Sequence, residues 1–293
     1  MAIGIDPLVD FAAKRLLGSP EHAAVTLHFL NAVLRFDRPI VDVTILNPIN
    51  LKDFDADKLS VLDIKAVDGV GRRYNIEVQT TRQPGLPQRL TYYAARQLVE
   101  QLGEGDQYEQ LSPSIGICLL DAVLFRDEPS LRHAFGLRSP GGLTLSDCLQ
   151  VHILELPKYV PPSGDAAIID PADQWLYFFR DAAARSPEEL SKRLPDPVFA
   201  EATGVLEMIA RTPEERQHYE DRLKAERDEW ARITGARREG VQEGLVVGQA
   251  KLVATLQQLV GDSEQTPEEL AEIGLDGLLE MEGDLKRQLR ARG

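Results

Sequence analysis

Asp63-Ile64-Lys65-Ala66-Val67-Asp68-Gly69-Val70-Gly71-Arg72-Arg73-Tyr74-Asn75-Ile76-Glu77-Val78-Gln79 alternates apolar and polar side chains on both sides of a glycine-bearing centre. That alternation predicts two β runs, Leu59 to Val67 and Arg72 to Gln79, joined by a short bulged turn. In a strand, residues two apart share a face. Asp63 and Lys65 therefore project together from the first arm, and Asn75, Glu77 and Gln79 from the second, while Leu62, Ile64, Ile76 and Val78 take the opposite, core-like faces. If the turn closes around Gly69, Val70 and Gly71 so that Asp63 lies opposite Glu77, Lys65 lies opposite Asn75. Directly opposed Cβ atoms are about 4.5–5.5 Å apart. Two carboxylates that close repel unless a cation sits between them, and Mg²⁺ or Mn²⁺ with oxygen ligands is the usual answer. Lys65 can share the neutralisation. The other reading is an exposed amphipathic hairpin face, with both acids paired to Lys65 and nearby arginines.

Outward from the hairpin, the pattern changes on both sides. Upstream, Pro39 to Leu46 has a period of two with β-branched residues and predicts a strand, and Asn47 to Asp57 predicts a loop. Pro7 to Phe36 has helical spacing, broken at Gly18-Ser19-Pro20 into two helices. Downstream, Pro84-Gly85 and Pro87 interrupt before a helix over Gln88 to Leu102, ended by Gly103. Ser114 to Ala122 and Leu149 to Leu156 predict two more strands. The first is almost wholly apolar, as a central strand covered on both faces would be. The order of helix, three strands, helix, strand predicts an α/β (α+β) domain.

Beyond Pro157, Pro161-Pro162-Ser163-Gly164 reads as a linker, and the rest of the chain is helical in pattern. Helices are expected over Gln174 to Ala184, Pro187 to Leu194, Val198 to Ala210, and a charged run from Thr212 to about Lys251. Gly240, Gly244 and Gly248 fall on one side of that last helix, either as a frayed segment or as a surface for close helix pairing in a homo-oligomer. Short amphipathic helices are expected over Ser263 to Arg292, starting at the capping pattern Thr266-Pro267-Glu268-Glu269. The expected division is residues 1–160 as the αβ core, 161–212 as a helical extension packed on or beside it, and 213–293 as a charged helical tail.

Across its 293 residues the chain has 43% hydrophobic and 27% charged residues, ordinary for a folded protein. No apolar run is long enough to span a bilayer, and Met1 to Asp10 lacks the basic and apolar regions of a secretory signal, so a cytoplasmic location is expected. Cys118 and Cys148 have no metal-ligand spacing and read as core thiols; the five histidines show none either. Thirty-three basic against 47 acidic residues give a net charge of −14, which argues against a general nucleic-acid coat protein. Yet between Lys65 and Arg96 the bases are Lys65, Arg72, Arg73, Arg82, Arg89 and Arg96, against Asp68 and Glu77 alone. A phosphodiester backbone running past a metal ion suits a basic segment around two carboxylates. Tyr92 and Tyr93 either stack on a base or divide between helix packing and exposure.

These residues resemble a family. Asp63-Ile64-Lys65, the glycine turn, Asn75-Ile76-Glu77-Val78-Gln79, then Arg89, Tyr92, Tyr93, Gly105-Asp106-Gln107-Tyr108 and Leu111-Ser112-Pro113-Ser114-Ile115 are similar to the Rpn-type recombination-promoting nucleases, transposase-like members of the PD-(D/E)XK nuclease superfamily. Asp10 to Gly18, Phe29 to Leu34, Trp175 and the Tyr219 to Trp230 helix resemble the family's opening and tail. The resemblance implies a restriction-endonuclease-like αβββαβ core with a mixed sheet, continued by a mostly helical C-terminal region, and metal-dependent hydrolysis of DNA. It implies Asp63 and Glu77 as catalytic residues and ligands of Mg²⁺ (or Mn²⁺). Gln79 stands where the superfamily has a lysine and can orient water without supplying charge, leaving Lys65 or Lys14 as the cation. Lys14, Arg72, Arg73, Arg82, Arg89 and Arg96 are the expected nucleic-acid contacts. A catalytically silent nuclease-fold scaffold is the competing expectation.

Overall fold

The computed structural model of the chain describes residues 1–47, 63–81, 83–164, 166–262 and 265–292. Residues 59–62 of the first hairpin arm, most of the loop expected over Asn47 to Asp57, and Arg82 lie outside the described residues. Two compact units are present, Met1–Ala225 and Glu226–Gly293.

In the first unit, helices α1 (Asp10–Leu17) and α2 (Ala23–Leu34) precede strands β1 (Thr44–Ile45), β2 (Ile64–Val67) and β3 (Arg73–Gln79). Next come helix α3 (Leu86–Val99), strands β4 (Ser114–Leu120), β5 (Arg132–Arg138) and β6 (Thr144–Glu155), and helices α4 (Pro171–Asp181), α5 (Pro187–Arg193) and α6 (Val198–Arg211). The six strands form one sheet in the order β1-β2-β3-β4-β6-β5. The β1-β2-β3 meander and the β5-β6 pair are antiparallel, while β3-β4 and β4-β6 are parallel. This is the expected mixed sheet with the order helix, three strands, helix, strand, to which β5 is an addition. Every residue of β4 is buried, as its unbroken apolar run requires of a strand covered on both faces.

The sheet has a different layer on each face. Ile64, Ala66, Tyr74, Ile76, Ile115 and Ile117 join Phe11, Leu16, Phe29, Trp175, Phe178 and Phe199 in the main core, so α1, α2, α4 and α6 cover one face. Leu86, Leu90 and Ala94 of α3 meet Cys118, Leu120, Val151 and Ile153 on the other. Asp170 caps α4 by accepting from the Ala172 and Asp173 amides, and Ser186 and Glu189 form a reciprocal capping box on α5.

Three sequence-based expectations change. The strand predicted over Pro39 to Leu46 shrinks to Thr44–Ile45. The Ile40 backbone is claimed by a side chain instead: Asn31 Nδ2 donates to its carbonyl at 2.9 Å, and its N–H donates to Asn31 Oδ1 at 2.8 Å. The sequence pattern does not predict β5, and β6 starts at Thr144 rather than Leu149. The distal part of this hairpin is exposed, with Leu143 and Leu145 about as open as polar residues, so burial imposes no alternation there.

In the second unit, the later part of α7 (Pro213–Val260), α8 (Pro267–Ala271) and α9 (Leu275–Arg292) surround Ala250, Val253, Leu256, Val260, Leu270, Leu278 and Leu285. The capping box expected at Thr266 and Glu269 is present, with bonds of 3.2 and 2.9 Å. Among the described residues, no helix is long and apolar enough to cross a membrane.

Candidate active site

The turn between β2 and β3 is built on one carboxylate. Asp68 accepts from the Val70 amide at 3.1 Å, the Arg72 amide at 2.9 Å, Arg72 Nε at 2.6 Å and the Tyr74 hydroxyl at 2.7 Å. Burial and the Asp68 hydrogen bond push the Tyr74 phenol far above its ordinary range, so it stays a donor. Gly71 sits at φ +88°, a conformation L side chains rarely adopt, and a Cβ there would lie 2.8 Å from Ser112 Oγ. This turn sets the register: Val67 opposes Arg73, Lys65 opposes Asn75 and Ile64 opposes Ile76. Asp63 directly precedes β2, and its charge acts on Glu77 of β3. Asn47 pins the entry to β2, donating from Nδ2 to the Asp63 carbonyl at 2.8 Å and accepting from the Lys65 amide at 2.7 Å.

Asn75, Glu77 and Gln79 look toward α3. In the parallel register Asn75 lies beside Gly116 and Glu77 beside Cys118, and a Cβ on Gly116 would be 3.7 Å from Ala94 Cβ of that helix. Gln97 ties α3 down, donating to the Tyr74 carbonyl at 3.3 Å and accepting from Ser114 Oγ at 2.9 Å. A cleft of about 210 Å³ remains between the hairpin and α3, lined by Asp63, Lys65, Asn75, Tyr93, Arg96, Gln97 and Glu100.

Glu77 is 1% exposed. Its carboxylate faces Arg89 Nη2 at 3.4 Å and accepts from Asn75 Nδ2 at 3.3 Å. Burial raises its pKa above the ordinary carboxylate value and the Asp63 charge adds to that, while Arg89 and Asn75 oppose it. Arg89 is in turn held by Gln83 Oε1 at 2.5 Å from Nη1, and its Nε is buried with no hydrogen-bond partner among the described residues. Asp63 is more open and sits 3.7 Å from Lys65 Nζ. A neutral Gln79, 8% exposed, shares the Glu77 face, and its carbonyl accepts from the Asp121 amide at 2.8 Å.

The structure thus brings Lys65, Glu77 and Gln79, with Asp63 just before β2, to the side of the sheet toward α3, from which Arg89 reaches Glu77 and Arg96 lines the cleft. Arg96 is paired to Glu100 at 2.6 Å, and this bond holds the Glu100 carboxyl below its ordinary value. The charges of Lys65 and Arg73 also act on Glu100. Arg72 belongs to the turn, where it pairs with Asp68 and stacks over the Phe36 ring at 4.6 Å. Lys14 lies on α1, 9% exposed and in electrostatic reach of Asp10. Sequence reasoning missed four supporting residues: Asn47, Gln83, Gln97 and Glu100. All are polar residues in a loop or on a helix, and only tertiary contact gives them a role.

Among the described residues, no group of three or more His, Cys, Asp or Glu could hold a metal ion. A pair of hard carboxylate oxygens nevertheless suits Mg²⁺, which keeps several waters and is commonly bound through one or two carboxylates. Asp63 and Glu77 fit that donor set.

Comparison with curated proteins and with solved structures gives no match. Residues 7–236 match the family model described as PD-(D/E)XK nuclease family transposase. That span takes in the whole sheet, α3 and both carboxylates, and the chain therefore belongs to the PD-(D/E)XK nuclease family transposases.

Proposed function

We propose that the protein is a Mg²⁺-dependent DNA endonuclease, related to recombination-promoting nucleases, with Mn²⁺ as a substitute ion. The observation that supports this reading is that Asp63, which immediately precedes β2, lies near enough for its charge to act on the buried Glu77 of β3, in a chain whose family is a nuclease family. Asp63 and Glu77 hold the ion. When bound, it supplies electrostatic stabilisation to the anionic phosphoryl oxygens.

The chain's own residues prepare that site. Asn75 orients the Glu77 carboxylate through its amide hydrogen bond. Arg89 offsets the negative charge on Glu77 and keeps the buried group ionisable. Lys65 lies beside Asp63 and Arg89 beside Glu77, the two cations that stand in for the lysine Gln79 lacks. Gln79 can hydrogen-bond a water or a phosphate oxygen but brings no charge. Arg73 is the proposed contact to the DNA backbone, since Lys65 and Arg96 are paired with Asp63 and Glu100, and a cytoplasmic location and a homo-oligomer through α7 are part of the proposal.

Plasmid nicking at low salt with Mg²⁺ is the test, because backbone contacts weaken steeply with ionic strength. Asp63→Ala and Glu77→Ala are expected to abolish it, and undiminished nicking by either variant removes these residues from the site. A second reading, a silent nuclease-fold scaffold, draws support from the neutral Gln79 and from a guanidinium already at Glu77. Calorimetry that detects no Mg²⁺ or Mn²⁺ binding, together with no cleavage of duplex or single-stranded DNA, would favour it.

A further inference from the structure

The cleft between the hairpin and α3 is lined by Asp63 but not by Glu77, and its charges are already matched. Of its lining residues, Lys65 sits against Asp63 and Arg96 against Glu100. Among the described residues, the lining therefore offers no surplus positive charge to a phosphate. Gln97 is also satisfied, bonded to the Tyr74 carbonyl and the Ser114 hydroxyl.

Two groups are left with something to offer. Tyr93 lines the cleft, while its neighbour Tyr92 is 60% exposed and its ring is tilted 60° to that of Tyr93. Asn75 is 4% exposed; its Nδ2 is spent on Glu77, and its Oδ1 is buried with no hydrogen-bond partner among the described residues. A buried unpaired carbonyl oxygen is costly unless a donor meets it. An aromatic ring, a lone acceptor and balanced charges together describe a site for a neutral planar group bearing N–H donors. At about 210 Å³ the cleft is below the roughly 300–1,000 Å³ of ordinary small-ligand pockets, so it accommodates one ring system.

We propose that this cleft is a nucleobase subsite, which takes one unpaired base of the DNA substrate against Tyr93 and gives it Asn75 Oδ1 as hydrogen-bond acceptor. The inference rests on the nuclease reading and deepens it: a base inside the cleft has left its duplex partner, so the preferred substrate is single-stranded or locally opened DNA. Stacking supplies most of the recognition and tolerates any base, since every base has a π face.

Binding without cleavage tests it. The full-length chain, in EDTA at low salt, is titrated with fluorescently labelled single-stranded oligonucleotides, either base-bearing or with abasic sites throughout. The base-bearing strand is expected to bind about 5-fold tighter or more. Tyr93→Ala is expected to erase that preference, Tyr93→Phe to keep it, and Asn75→Ser to reduce it, each variant first shown by circular dichroism to be folded. Equal or absent binding of the two strands by the unaltered chain overturns the inference, as does a preference that survives Tyr93→Ala. Plasmid nicking by the same preparation separates the two levels. Nicking that needs Asp63, without a base preference, leaves the nuclease reading standing and removes the subsite; nicking indifferent to Asp63 removes the nuclease reading itself.

Discussion

Replacing Glu77 by glutamine is expected to stabilise the metal-free protein while abolishing its activity. Glu77 is 1% exposed, and burial outweighs the help of Arg89 and Asn75, so its folded-state pKa lies above the unfolded value of about 4.5. A carboxyl with a raised pKa holds its proton in the folded state where the unfolded chain has already lost it. Stability then falls as pH rises through the folded pKa, and each tenfold gain in proton affinity corresponds to about 1.4 kcal/mol lost at neutral pH. Glutamine has nearly the same shape, keeps an acceptor for Asn75 and Arg89, and carries no charge to desolvate. Each 1.4 kcal/mol gained in this way raises Tm by about 3–6 °C in a unit of this length. Thermal unfolding in EDTA at pH 7.5 and pH 4 checks both size and sign. The variant is expected to be more stable at pH 7.5, and the difference to vanish near pH 4, where the wild-type group is protonated in both states. A variant less stable at pH 7.5, or a difference independent of pH, refutes the claim that desolvation dominates at Glu77.

The remaining predictions concern the turn and the missing charge. Gly71→Ala is expected to destabilise the first unit by about 1–2 kcal/mol, because φ is +88° there and Ser112 Oγ blocks the new Cβ; urea denaturation measures it. Asp68→Ala strips the turn of four hydrogen bonds and leaves the Tyr74 hydroxyl buried without its acceptor, at a cost of about 3 kcal/mol by the same measurement. Gln79→Lys restores a cation beside Glu77 and is expected to raise kcat in Mg²⁺-dependent nicking with little change in KM; an unchanged kcat would show that Lys65 or Arg89 already serves.

The central hairpin is legible in the sequence because one of its faces is apolar and packs into the main core. Burial imposes a period of two on Ile64, Ala66, Tyr74 and Ile76, and Gly71 marks the one place in the turn where the backbone needs positive φ. With the turn taken to close around Gly69, Val70 and Gly71, these local facts put Lys65 opposite Asn75, the register the structure has. The same logic fails where burial is absent: Arg132–Arg138 and the start of β6 are exposed, so no apolar alternation announces them. Pro39 to Leu46 fails for the opposite reason, since a β-like pattern cannot reveal that Asn31 will take the Ile40 backbone that a neighbouring strand would have used.

By itself, then, the sequence determined the core order of helix, three strands, helix, strand and, once the turn is taken to close at Gly69 to Gly71, the hairpin register, because both depend on residues close in the chain. Only the tertiary structure decided the electrical state of the site. In the sequence Arg89 is a base expected to face DNA, yet the packing of α3 over Cys118 and Gly116 turns its guanidinium onto Glu77, and Arg96 is drawn to Glu100 instead of to solvent alone. Charge pairing depends on distance and on the water that burial removes, and neither is written in the spacing of residues along a strand.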